Sequence, residues 1–110
     1  MKQYVIDELR PADYDKIKSY LDAHFAVRTF PGLYWIDLIP EQYAEPQTAH
    51  PACGPFYFAL ELLPDRLCCE FLVRSRQKIR CDCIQQATES QRNWLIQVVD
   101  ALFEQLEIQT

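Results

Sequence analysis

Two adjacent runs place the strongest constraint on this chain. FYFALELL (56–63) and LCCEFLVR (67–74) are separated by Pro64-Asp65-Arg66. Phe56, Phe58, Leu60 and Leu62 alternate along the first, and Leu67, Cys69, Phe71 and Val73 along the second. Successive side chains of a strand point to opposite faces, so each run presents one continuous apolar row. Pro-Asp favours a tight turn between them. The pattern predicts an antiparallel hairpin with an apolar inner face. A hairpin alone is marginal in water, so other elements must cover that face.

Two amphipathic helices are available for this. Arg10-Pro11 opens the first, with Pro11 in its first turn and Asp13 and Asp15 near the positive end of its dipole. Tyr14, Ile17, Leu21 and Phe25 recur at helical spacing. Thr88-Glu89-Ser90-Gln91 fits a capping box and starts a second helix reaching to about residue 107. Its stripe is Leu95, Val98, Val99, Leu102 and Leu106, flanked by Trp94 and Phe103.

Three further strands are predicted. They are Tyr4–Leu9, Leu33–Ile39 after the Pro31-Gly32 turn, and Ile79–Ile84 with Ile79, Cys81 and Cys83 inward. Residues 40–55 carry four prolines and read as an irregular loop, with one helical turn at PEQYA. The expected fold is single-domain α+β over residues 1–110, in the order β-α-β-β-β-β-α. It is a curled, mostly antiparallel sheet with both helices on one face. That order resembles the TATA-binding-protein-like and helix-grip arrangements, a likeness that implies a fold and no activity.

A chain of 110 residues buries about two-thirds of its unfolded surface, enough for one core. Five cysteines, an odd number with a vicinal pair, argue against a disulfide framework and for free thiols in the cytoplasm. No apolar run approaches a membrane span, and MKQYVIDELRP does not read as a signal peptide. The net charge of −5 argues against nucleic acid and anionic membranes as partners. The one basic cluster, Arg74, Arg76, Lys78 and Arg80, lacks interleaved aromatics.

Candidate chemistry is sparse. His50 and Cys53 are the only Cys/His pair close in sequence, and so the best nucleophile and base. No fixed cation nearby would activate the thiol. Cys81 and Cys83, in a strand, would share a face about 6.5–7 Å apart, which is not knuckle spacing. These cysteines read as small buried hydrophobes, with no metal and no cofactor expected. Glu61, Glu70, Asp37 and Asp82 fall on the outward sheet face with Arg74 and Arg80, a mutually neutralised surface.

The most informative feature is apolar. Trp35, Tyr57, Leu63 and Leu72 share that outward face by parity. Exposed apolar patches mark interfaces, and Trp, Tyr and Arg are enriched at hot spots. Trp35, Tyr57, Leu72, Arg74 and Arg80 are therefore the expected binding residues. The expected function is a non-catalytic interaction module, homodimeric through this face. The alternative is a small-ligand binder or enzyme with a cleft between the sheet and the 40–55 loop, lined by Tyr43, His50 and Cys53. Second copy, partner and loop are the three candidate covers for the aromatics.

Overall fold

The computed structural model describes residues 3–25 and 30–109. The elements run β1 (Gln3–Ile6), α1 (Pro11–His24), β2 (Leu33–Asp37), α2 (Glu45–Thr48), β3 (Phe56–Leu63), β4 (Arg66–Glu70), β5 (Leu72–Ser75), β6 (Gln85–Gln86) and α3 (Glu89–Gln105). This is an α+β fold with an open, antiparallel sheet.

β3 is the centre of the sheet. One edge pairs with β2, with Trp35 opposite Ala59 and Asp37 opposite Tyr57. The other edge pairs first with β4 and then with β5. The single partner strand expected at 67–74 is thus broken at Phe71, and inward alternation survives the break. Both expected rows are buried, as are Tyr34, Ile36 and Leu38 of the β2 region. β1 closes against β4 and is shorter than predicted, although Leu9 still packs inward. Gly32, at φ 82, makes the turn into β2, where its carbonyl accepts from Leu62 N at 2.8 Å. Only a residue without a Cβ holds that φ without strain.

Both long helices lie on the inner face. Ile17 and Leu21 of α1 are fully buried, and the carboxylate of Asp13 accepts from Arg10 N at 3.1 Å. The α3 capping box forms as the sequence implies. Thr88 Oγ1 accepts from Gln91 N, and Gln91 Oε1 accepts from Thr88 N. The buried stripe of α3 is Gln91, Leu95, Val99, Leu102 and Phe103. Phe103 is buried, whereas Val98 and Leu106 are only partly buried at the edge of the stripe.

Two segments depart from expectation. The helical turn expected at PEQYA forms at Pro40–Gln42, but two more, α2 and Pro51–Cys53, follow it, so residues 40–55 are more regular than expected. Each begins with proline at its first or second position. The missing N–H is an orphan there in any case, and the fixed φ favours the turn. The second departure is Ile79–Ile84, which is no strand. Ile79 is 93% exposed, and the ladder resumes only at β6. Ser75 ends β5, its hydroxyl accepting from the backbone N–H groups of Gln77 and Lys78. A three-membered apolar alternation was too weak to outweigh that turn.

Candidate functional site

The outer sheet face carries an aromatic pair. Trp35 and Tyr57 stack with ring centroids 4.1 Å apart and planes 21° apart. They sit diagonally on neighbouring strands, within reach of large side chains. Arg76 lies over both, its guanidinium carbon 4.9 Å from the Trp35 ring and 5.6 Å from the Tyr57 ring. Its Nε also donates to Asp37 at 2.8 Å. Arg74 makes a forked pair with Glu70, at 2.7 and 3.2 Å. The pairing fixes the guanidinium planes. Burial pushes the Tyr57 phenol up. A cavity of about 260 Å³ opens here, walled by Trp35, Tyr57, Arg74, Arg76, Ile79 and Ile84.

The outward parity of Trp35 and Tyr57 therefore holds, but part of their cover was not foreseen. The segment after β5 folds back over them, leaving Tyr57 at 7% exposure and Trp35 half-buried. The 40–55 segment does not cover them. It turns inward: Tyr43 meets Phe56 edge-on at 5.0 Å, and Gln47 and Cys53 are buried. Of the residues expected to line a cleft there, Tyr43 packs on the core and Cys53 is buried, while His50 is half-buried. Leu72 is half-buried on the outer face, paired with Gln86. Arg80 and Asp82 leave the sheet altogether, since they lie exposed in the 76–84 loop.

The same loop brings four chemistry-bearing side chains to one corner. Ligand atoms of His50, Cys53 and Cys81 lie within 4.8 Å of one another. Cys53 Sγ is 3.7 Å from Cys81 Sγ, and His50 Nδ1 is 3.5 Å from Cys81 Sγ. Cys83 lies buried two residues further along the same turn as Cys81. The backbone N–H of Cys83 holds the Cys81 thiol below its ordinary range, and burial pushes Cys83 up to about 12. The sequence pairs His50 with Cys53 as base and nucleophile. The structure adds Cys81 to that pair, within 3.5 Å of His50 Nδ1. Cys69, by contrast, is a buried small hydrophobe, pushed up to about 12 by burial.

No family model, curated protein or solved structure matches this chain. Function must come from the geometry of these two places, and the likeness in element order adds nothing to it.

Two buried glutamines build the corner, and neither stood out in the sequence as a core residue. Gln47 Nε2 donates to the Cys83 carbonyl at 2.9 Å, and its Oε1 accepts from Ala44 N at 2.8 Å. Gln91 Nε2 donates to Gln47 Oε1 at 3.0 Å and to the Gln42 carbonyl at 2.8 Å. One amide network thus ties the start of α3, the 40–55 segment and the 81–84 turn. Among the described residues no buried side-chain polar atom lacks a partner. The capping-box motif identifies Gln91, but its second role is invisible there, because the partners lie 44 and 49 positions away. No helix of the described residues is long and apolar enough to cross a membrane.

Proposed function

We propose that this chain is a non-catalytic interaction module that self-associates through the outer face of its sheet. The observation that carries this reading is the Trp35–Tyr57 stack, capped by Arg76, on a face that neither long helix covers. Leu33, Ala59, Cys68 and Leu72 extend the half-buried apolar surface around it. Aromatic residues beside an arginine form the composition of an interface centre.

Charge favours a second copy as the occupant. The face is basic at the β5 end, where Lys78 lines the Trp35–Tyr57 cavity and makes no ion pair among the described residues. Glu61 sits further along β3, exposed and also without an ion pair among them. A two-fold axis through the face sets the basic end of one copy against the Glu61 end of the other. Isologous pairing of this kind is the commonest oligomeric arrangement. The five free thiols suit the reducing cytoplasm as its compartment.

Sedimentation tests the reading. The wild type is expected to be a dimer at about 10 µM, a concentration at which about −8 kcal/mol of association energy holds half or more of the chains together. Trp35→Asp is expected to give a monomer with an unchanged far-ultraviolet circular dichroism spectrum. A monomeric wild type at that concentration overturns the proposal. An unfolded Trp35→Asp chain would place Trp35 in the fold's own stability rather than at an interface.

A further inference from the structure

We propose that His50, Cys53, Cys81 and Cys83 bind one zinc ion, which staples the 40–55 segment to the 76–84 loop. The inference is independent of self-association, and it reverses the expectation of metal-free thiols drawn from in-strand spacing.

Distances carry the argument. Zinc sits about 2.3 Å from a thiolate sulfur and about 2.0–2.1 Å from an imidazole nitrogen. In a tetrahedron those lengths place two sulfurs about 3.8 Å apart, and a sulfur and a nitrogen about 3.6 Å apart. The Cys53–Cys81 separation is 3.7 Å and the His50–Cys81 separation is 3.5 Å. Two of the three separations already match a tetrahedral site, and the third is within 4.8 Å. The Cys83 sulfur lies outside that group, and its place two residues after Cys81, in the same hydrogen-bonded turn, makes it the candidate for the fourth corner.

Each half of the site is a tight turn. Cys53 N donates to the His50 carbonyl at 3.0 Å, which holds the His-x-x-Cys half. Ile84 N donates to the Cys81 carbonyl at 3.0 Å, which folds Cys-x-Cys out of the extended form that would separate its sulfurs. Second contacts pin both turns. The Ser75 hydroxyl donates to the Cys53 carbonyl, and Gln47 donates to the Cys83 carbonyl. Supporting hydrogen bonds of this kind fix ligand orientation in metal sites.

Three sulfurs and one imidazole nitrogen are a soft, closed donor set, the signature of structural zinc. All four positions are taken by protein, so no place remains for water or substrate. On binding, three S–H bonds break, three Zn–S bonds and one Zn–N bond form, and three protons pass to solvent. No oxidant is needed. A Cys53–Cys81 disulfide is the competing chemistry, and it requires one.

The test is titration of the reduced, metal-free full chain with cobalt(II), then zinc. One equivalent of cobalt is expected to give the absorption of a tetrahedral, thiolate-rich site, and zinc to bleach it. Cys53→Ser and Cys81→Ser are each expected to abolish that absorption. His50→Ala, at a half-buried position where folding survives more readily, is expected to weaken cobalt binding by at least about tenfold. Gln97→Ala, exposed on α3, is expected to bind as the wild type does. A folded wild type that gives no tetrahedral cobalt spectrum overturns the proposal. So does a spectrum that persists in Cys53→Ser and Cys81→Ser. A Cys53–Cys81 disulfide in protein purified without reductant, with no cobalt bound after reduction, overturns it as well.

Discussion

The inner face of β3 and the corner at its first residues are built on different rules. Along the inner face, Phe56, Phe58, Leu60 and Leu62 are buried by parity alone, and any side chain of similar volume would serve. At the corner, Gln47, Gln91, Ser75 and the cysteines meet through specific donors and acceptors far apart in sequence. The first region is held by removing apolar area from water. The second is held by satisfying buried polar groups that would otherwise be left without partners. Removing a methylene from the former leaves a smaller core. Removing one amide from the latter leaves several orphans at once.

Three substitutions sharpen this contrast. The largest effect is expected for Phe58→Ala, which opens a cavity beside Trp94 and should cost about 3–5 kcal/mol in denaturant unfolding. A cost below about 1 kcal/mol would mean that the inner row is not the core. Next is Gln47→Leu, which keeps bulk but strips partners from the Cys83 carbonyl, Ala44 N and one Gln91 N–H. Its expected cost is about 1–3 kcal/mol. Hydrogen exchange should quicken in residues 44–50 and 83–91 while β3 and β4 amides stay protected. Exchange quickening evenly over the sheet would erase the distinction between the regions. The smallest effect is expected for Gln97→Ala, exposed on α3, at less than about 0.5 kcal/mol. A larger loss there would shift the phase of the helix.

Much of the fold was legible from the chain. The hairpin, both long helices, the Thr88 cap and the outward parity of Trp35 and Tyr57 all follow from short-range pattern. The elements that failed were those with short or mixed signals. Ile79–Ile84 offered three alternating apolar residues among charges, and the Ser75 turn outweighed them. Beyond the turn at PEQYA, residues 40–55 carry no apolar periodicity to mark a helix, yet three of their four prolines start helical turns. The candidate site was half legible. His50 and Cys53 stood out as a pair, but the pairing of His50 with Cys81 depends on a loop whose path no local pattern encodes.

Periodicity, capping and turn chemistry act within a few residues, and the sequence carries them in full. They determine which faces are apolar and therefore that an α+β sandwich of one sheet and two helices must form. Which distant loops meet at the corner is decided only when the core has closed. Arg76 then lies over Trp35, Gln47 reaches the Cys83 carbonyl, and the thiols of Cys53 and Cys81 come to 3.7 Å. The reason is that loop closure costs entropy that grows only slowly with length. Sequence separation therefore selects no partner, and geometry and hydrogen-bond satisfaction make the choice.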